Sequence, residues 1–178
     1  MPASGPAVTA AAAAGIDKAA LHAELVAQLT EALASAQRAH AAALEGATHT
    51  EARAENPKDT RGLEQSYLAR GQAQRVAELE AGLAAVAALV IRRFSPSDPI
   101  ALGALVTVHE DSGLAGDDRV RKQLFIAPHG GGSVLAIGIQ VVTPSSPLGR
   151  ALLGRLVDDD IELRLPGRTR SLLVIALE

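Results

Sequence analysis

Two long stretches with apolar residues at alternating spacings of three and four constrain this fold most. The first, residues 16–46, is rich in Ala, Leu, Glu and Gln and has no Pro and no interior Gly, a composition that favours helix. Its seam comprises Val26, Leu29, Leu33, Ala36, His40 and Ala43, and that of the second stretch comprises Val76, Leu79, Leu83, Val86 and Val90. Two such helices with one break between them predict an antiparallel coiled-coil hairpin spanning residues 16–94. A helix of 30 residues is about 45 Å long, so the tip of this hairpin would lie far from a small domain.

The break between the two helices, residues 46–59, predicts the hairpin tip. Asn56 suits the N-cap of the second helix, and Pro57 suits its first position, where a missing N–H is harmless. Asp59 then occupies the third position and can bond back to the cap, as in a capping box. This places Glu55 directly before a helix N-terminus at the far end of the hairpin. Glu51 and Asp59 flank it, and all three acids also fit the preference of helix starts for negative charge.

Beyond residues 95–99, a Ser-Pro-Ser-Asp-Pro linker, the pattern changes to short apolar segments. Strands are predicted at residues 105–108, 124–126, 137–142, 160–165 and 172–177. Pro166 and Gly167 predict a type II turn between the last two strands. Ser146, Pro147 and Gly154 predict the cap, start and stop of one short helix. The expected fold class is therefore α+β: a tail over residues 1–15, the hairpin, and a mostly antiparallel sheet with one helix over residues 100–178.

The composition excludes several classes of function. There is no cysteine, which excludes disulfides, thiolate zinc sites and thiol nucleophiles. The formal net charge of −3 does not indicate tight binding to bare nucleic acid. The only aromatic residues are Tyr67, Phe94 and Phe125, too few for a base-stacking platform. No apolar run approaches the roughly 18–20 residues that span a bilayer, so we expect no membrane partner and a cytoplasmic location.

Two local motifs have ordinary structural interpretations. The run His129-Gly130-Gly131-Gly132 is similar to the oxyanion loop of some lipases, but no Gly-x-Ser-x-Gly elbow accompanies it, which favours a flexible turn between strands. The run of three aspartates at residues 158–160 favours a solvated turn that enters a strand rather than a cation site. The five histidines show no metal-ligand spacing.

Residues 143–154 resemble the C-terminal domain of the Gre family of transcription elongation factors. They read Thr-Pro-Ser-Ser-Pro-Leu-Gly-Arg-Ala-Leu-Leu-Gly and are followed by Asp-Asp-Ile-Glu-Leu and a Pro-Gly turn. Residues 103–108 match the opening strand of that domain, and the order of a helical hairpin before an FKBP-like sheet matches as well. Two positions differ from the family pattern: Asp158 replaces a usual Gly, and Ser145 replaces a usual acid or Asn.

The resemblance implies a partner, RNA polymerase core, whose secondary channel the hairpin enters. It implies polymerase contacts by Ser145, Ser146, Pro147, Leu148 and Arg150. At the tip, it implies that Glu55, assisted by Glu51 or Asp59, helps the polymerase to cut its own backtracked RNA, whose 3′ end is thus an indirect partner. The protein would then be no enzyme and would hold no cofactor of its own. Glu55 would help to hold a Mg²⁺ ion shared with the polymerase, because Mg²⁺ prefers a few hard oxygen ligands and retains waters.

Three alternatives remain open at the level of sequence. The protein could bind the secondary channel without stimulating cleavage, since either alignment of the tip leaves one of the two acidic positions of the family non-acidic. It could be a generic coiled-coil interaction module. A peptidyl-prolyl isomerase is disfavoured, because the aromatic-lined cleft that this activity needs is absent from a C-terminal half whose one aromatic residue is Phe125.

Overall fold

The computed structural model describes residues 16–48, 61–111 and 119–178. The predicted tail, residues 1–15, and most of the predicted tip lie outside these ranges. Two helices, α1 (Lys18–Thr48) and α2 (Arg61–Ala87), pack against each other as the predicted hairpin. Asp17 caps α1, since its Oδ1 accepts hydrogen bonds from the backbone N–H groups of Ala19 and Ala20 at 2.9 and 3.3 Å.

The seam of the hairpin follows the predicted spacing except at its last position. The most deeply buried seam residues are Leu29, Ala36, Ala43, Leu79 and Val86. Val90 is 75% exposed, so its assignment to the seam is wrong. The reason is that α2 ends at Ala87. The chain then continues without helix, with Leu89 and Ile91 partly buried on either side of Val90, which is the period-two burial of extended backbone.

Five strands form one curled mixed sheet in the order β3-β2-β1-β5-β4. Their bounds are β1 Leu105–Asp111, β2 Arg119–Ile126, β3 Gln140–Val142, β4 Asp160–Leu165 and β5 Arg168–Leu177. Three of the pairings are antiparallel, and β2 pairs with β3 in parallel. The long connection over residues 127–139 permits this parallel pairing, which a tight hairpin could not make. The predicted fold class, a helical hairpin followed by a sheet with one short helix, is confirmed.

The strand predicted at residues 137–142 is shorter than expected. Residues Ala136–Gly138 form a turn instead of strand, and β3 begins only at Gln140. Ile137 has a φ of 54° and is 75% exposed. A β-branched residue in the left-handed region is a backbone outlier that costs on the order of 1–3 kcal/mol. The apolar composition of this stretch gives no sign of such a turn.

Turn chemistry explains two further left-handed positions. Gly167 has a φ of 78°, as the third residue of the predicted type II turn requires. Asp158 has a φ of 71°. This is the position at which the resembled family usually has Gly, so the backbone conformation accounts for the Gly of the family pattern. Asp is one of the few other residues that tolerates this region.

The sheet has two apolar faces, and the base of the hairpin covers one of them. One cluster lies between the sheet and α3 (Pro147–Leu152) and includes Val106, Leu124, Leu152 and Val174. The other unites Leu21, Leu25, Leu79 and Val86 of the hairpin with Leu105, Phe125, Ile139 and Val141 of the sheet and its loops. The hairpin base therefore shares a core with the sheet, which helical spacing alone did not predict.

The glycine-rich turn after β2 makes this junction close. A Cβ atom built on Gly82 would lie 2.4 Å from the His129 ring, and one built on Gly130 would lie 2.8 Å from Cδ1 of Leu25. Gly130 and Gly132 also have φ values of 83° and 89°. The turn between strands expected for this run is present, and it additionally receives the hairpin base, so it has a packing role beyond flexibility.

Polar contacts strengthen the same junction. The Glu24 carboxylate accepts a hydrogen bond from the Ala136 N–H at 2.9 Å, and the Gln28 side-chain amide donates to the Val134 carbonyl at 3.1 Å. Lys18 donates to the carbonyls of Arg92 and Gly103, and its Nζ lies 4.9 Å from the centre of the Phe94 ring. Burial lowers the pKa of Lys18, the positive charges of Arg92 and Arg93 add to this effect, and the Glu178 carboxylate opposes it.

Among the helices that the structure describes, none has the length and apolar character needed to span a membrane.

Candidate functional site

The loop that carries the family-like segment is built around the start of α3. Ser146 is the N-cap: its Oγ accepts a hydrogen bond from the Gly149 N–H at 3.0 Å and donates to the Thr143 carbonyl at 2.8 Å. Pro147 occupies the first helical position. Leu153 is the C-cap, and Gly154, with a φ of 79°, follows it. The predicted cap, start and stop of this helix are confirmed.

Gly149 holds α3 against the preceding strand. A Cβ atom at this position would lie 2.0 Å from the Thr143 carbonyl oxygen, a distance that backbone atoms could relieve only by moving apart. Thr143 is itself buried, and its Oγ1 lies 3.1 Å from the Ser145 hydroxyl. The loop is therefore fixed at its base by a close backbone approach and by hydrogen bonds.

The outer side of this loop is accessible. Ser145, Pro147 and Arg150 are exposed, and Ser146 and Leu148 are partly exposed. The Arg150 guanidinium donates to the Ser145 carbonyl, which closes the loop from outside. The five residues for which the family resemblance implies polymerase contact thus lie together on this loop. An ordered backbone that presents exposed Ser, Pro and Arg side chains is suited to contacting a protein surface.

A shallow cleft of about 340 Å³ lies beside the loop. Its lining includes Thr143, Pro147, Leu148, Leu163 and Arg170. The cleft therefore combines apolar side chains with hydroxyl groups and one guanidinium.

The Arg170 guanidinium is held in place by Glu110. Its Nε donates to the Glu110 carboxylate, and Lys122 Nζ lies 2.6 Å from the second oxygen of the same carboxylate. The Glu110 side chain is 12% exposed. The hydrogen bond from Arg170 is the main cause that lowers the pKa of Glu110, and Lys122 adds to it, while burial opposes both. Glu110 thus stays ionised and fixes one cation at the wall of the cleft.

The predicted tip acids, Glu51, Glu55 and Asp59, lie outside the described residues. The hydrogen bonds from α1 to the sheet region come from Lys18, Glu24 and Gln28, all in its first third. A helix of 31 residues is about 46 Å long. Most of the length of α1 therefore runs away from the contacts that attach it to the sheet.

The aspartates at residues 158–160 form a turn. Asp159 Oδ2 accepts a hydrogen bond from the Leu156 N–H at 3.0 Å, and Asp160 begins β4. No group of three potential metal-ligating side chains occurs within the described ranges 16–48, 61–111 and 119–178.

Sequence reasoning missed Gly149 and Arg170 as parts of the site. Gly149 stands inside the family-like segment, so its small size was the available signal. No local sequence signal identified Arg170, because its partner Glu110 lies 60 residues away in the chain. That contact depends on the pairing of β1 with β5, which local spacing does not reveal.

Comparison with known proteins gives structural neighbours only. No protein-family model matches the chain, and no curated protein matches it significantly. Solved structures that are similar include GreA factor homolog 1 (Gfh1) of Thermus thermophilus, with 25% identity, 89% of this chain and 95% of that chain covered, and a TM-score of 0.36. Gfh1 of Thermus aquaticus gives 23% identity, coverages of 90% and 95%, and a TM-score of 0.38.

The transcription elongation factor GreA/GreB of Nitrosomonas europaea has 21% identity, coverages of 65% and 91%, and a TM-score of 0.33. Scores and identities at this level do not assign the chain to a family. The order of its elements, a helical hairpin followed by a curled sheet with one short helix, fits a Gre-like architecture.

Proposed function

We propose that this protein binds RNA polymerase core and acts on transcription elongation through the polymerase secondary channel, in the cytoplasm. The observation that carries the proposal is the loop at the start of α3. Its sequence resembles the polymerase-contacting segment of Gre factors, and its exposed residues lie together on an ordered backbone. The hairpin supports the proposal, because the hydrogen bonds that attach α1 to the sheet region among the described residues lie near its base, and both helices are long enough to reach into a channel.

In this proposal the two parts of the molecule have different tasks. The loop, with Ser145, Pro147 and Leu148, contacts the rim of the channel, and the adjacent cleft accepts a side chain of the polymerase. The hairpin carries Glu55 toward the active centre. There, Glu55 with Glu51 or Asp59 helps to hold a Mg²⁺ ion and to orient water, and the polymerase performs the RNA cleavage.

Polymerase binding is tested with a change that alters the loop surface but suits the helix start. Pro147→Glu removes the exposed ring, while an acidic residue in the first turn is favourable to a helix. Pro166→Glu, in the β4–β5 turn, is the matched control. We expect Pro147→Glu to weaken binding to polymerase core at least tenfold and Pro166→Glu to bind like wild type, with equal melting temperatures. Unchanged affinity of a folded Pro147→Glu variant would remove the loop from the interface.

The activity is tested by adding the purified protein to stalled, backtracked elongation complexes and measuring shortened RNA. If wild type stimulates cleavage, Glu55→Gln should spare polymerase binding and lower the cleavage rate at least tenfold, which corresponds to about 1.4 kcal/mol of transition-state stabilisation. Equal cleavage by Glu55→Gln would leave Glu55 as a helix-start acid only.

The second candidate function is a secondary-channel binder that does not stimulate cleavage. The tip sequence favours it, because one of the two acidic positions of the family is occupied by Lys58 in one alignment and by Ala52 in the other. In the same assay this function predicts binding to polymerase, no shortened RNA from wild type, and reduced cleavage when a cleavage-competent factor is added in competition.

A further inference from the structure

The edge of the sheet next to β3 is incompletely covered. Strand β2 begins at Arg119, but its pairing with β3 covers only Leu124, Phe125 and Ile126. Within the described residues, no other strand pairs with this side of β2. Because the two strands are parallel, a stretch of β2 that includes Arg121 and Gln123 lies at the sheet edge beyond the first residue of β3, Gln140.

The register of the sheet shows which backbone groups point toward this open edge. The Ile126 N–H donates to Ala104 on the β1 side at 2.9 Å, and the Ala127 N–H donates to Val142 on the β3 side at 3.0 Å. Backbone direction alternates along a strand, and the β1–β2 register is continuous from Phe125 to Arg119. Arg121 and Gln123 therefore direct their N–H groups away from β1, toward the open edge.

A cleft of about 490 Å³ lies along this stretch of backbone. Its outer wall is the strained turn before β3, where Val134 and Ile137 are 60% and 75% exposed. Two exposed apolar side chains, one of them on a left-handed backbone, thus face solvent beside unpaired strand backbone. Strained backbone that persists at an exposed position points to a binding role more than to stability.

The charge of the cleft selects the occupant. Its lining includes Arg121 and Lys122 and no acidic side chain. Lys122 is already paired with Glu110, whereas Arg121 is exposed and has no ion-pair partner among the described residues. Basic side chains at a strand edge disfavour pairing with a basic strand and favour pairing with an acidic one.

We propose that this notch, defined as the open edge of β2 at Arg121–Gln123 together with Val134 and Ile137, binds an extended acidic segment of a partner protein by strand addition. The segment continues the line of β3, its backbone bonds to Arg121 and Gln123, its acidic side chains meet Arg121, and its alternate apolar side chains contact Val134 and Ile137. This surface is separate from the loop at α3. Strand addition at the notch does not depend on whether the partner is RNA polymerase.

The test uses the full chain and two synthetic eight-residue peptides, one alternating Glu with Val and one alternating Lys with Val. Amide chemical shifts of the ¹⁵N-labelled protein report the binding site and affinity. We expect the Glu peptide to bind with a Kd below about 1 mM, shifting the amides of Arg121, Gln123 and Ile137, and the Lys peptide to bind at least tenfold more weakly.

Three variants separate strand addition from simple charge attraction. Arg121→Glu should weaken binding of the Glu peptide at least tenfold. Its matched control, Arg164→Glu on the opposite edge strand, should leave this binding unchanged. Gln123→Pro removes one edge N–H without removing a bond to β1, so it should also weaken binding at least tenfold while the melting temperature stays close to that of wild type. Absence of Glu-peptide binding, shifts confined to another surface, or equal binding by folded Arg121→Glu or Gln123→Pro would overturn the proposal.

Discussion

Gly82 of α2 and His129 of the turn after β2 are in such close contact that a Cβ atom on Gly82 would lie 2.4 Å from the imidazole ring. Gly is otherwise unfavourable within a helix. The helix therefore accepts a poor helix former where the sheet approaches it. We expect Gly82→Ala to lower the free energy of unfolding by about 1–3 kcal/mol, because the added methyl group must displace the His129 ring. Chemical denaturation measures this change.

Gly71 provides the matched control, since it lies in the same helix and a Cβ atom there would have nothing within 4 Å. Gly71→Ala should raise the free energy of unfolding by about 0.5–1 kcal/mol through helix propensity alone. The double variant Gly82→Ala with His129→Ala should recover most of the loss. If Gly82→Ala is as favourable as Gly71→Ala, the hairpin base does not pack against the sheet as described.

Asp158 provides a test of backbone strain. Its φ of 71° lies in the region that Gly adopts most easily. We expect Asp158→Gly to stabilise the protein by about 0.5–1 kcal/mol, and Asp158→Ala to destabilise it, because Ala lacks the local hydrogen bonding that helps Asp to tolerate this conformation. Thermal melting of the three proteins measures both changes. A destabilised Asp158→Gly variant would show that the Asp158 side chain has another role.

The sequence predicted those features that depend on local chemistry. The Ser146 cap, the Pro147 start, the Gly167 turn and the 3-4 seam each depend on residues within a turn or two of one another, and all are present except the last seam position, Val90. It did not predict the end of α2 at Ala87, because Leu89, Val90 and Ile91 continue an apolar run that suits either helix or extended chain. Burial of Leu89 and Ile91 against the sheet decides between them, and that is tertiary information.

The same distinction applies to the candidate site. The five loop residues lie within six consecutive positions, and the family resemblance implies them together. Arg170 and Glu110 meet only because β1 pairs with β5. The left-handed Ile137 also had no signal, since Ile is among the residues least expected at positive φ. Features that arise from strand pairing or from strain were beyond local sequence reasoning.

Glu110 should make stability depend on pH. Its pKa is lowered below the ordinary value of 4.5 by Arg170 and Lys122. A lowered carboxyl pKa contributes stability that is fully present above the ordinary value and is lost as pH falls through the folded value. We expect Glu110→Gln to cost about 2 kcal/mol at pH 7, because it leaves the mostly buried Arg170 without its counterion. The difference from wild type should shrink as pH falls below 4.5.

The control for this prediction is Glu162→Gln. Glu162 pairs with Arg164 at 3.7 Å, and the two side chains are 67% and 85% exposed. An exposed pair of this kind contributes less than about 1 kcal/mol, so its loss should be small at every pH. If the difference in the free energy of unfolding between wild type and Glu110→Gln does not change with pH, then shape, and not charge, accounts for the effect of the substitution.

In the proposed binding mode, the hairpin enters the secondary channel of RNA polymerase while the sheet domain contacts its rim. A photo-crosslinking residue placed at Glu55 tests it most directly, with a second placed at Pro147, in complexes of the full chain with polymerase core. Mass spectrometry of the crosslinked peptides identifies the polymerase segments reached. We predict that position 55 crosslinks to segments lining the secondary channel near the active centre, and position 147 to segments at its outer rim. Crosslinks from position 55 to the outer surface of the polymerase alone, or no crosslinks from either position, would contradict the account.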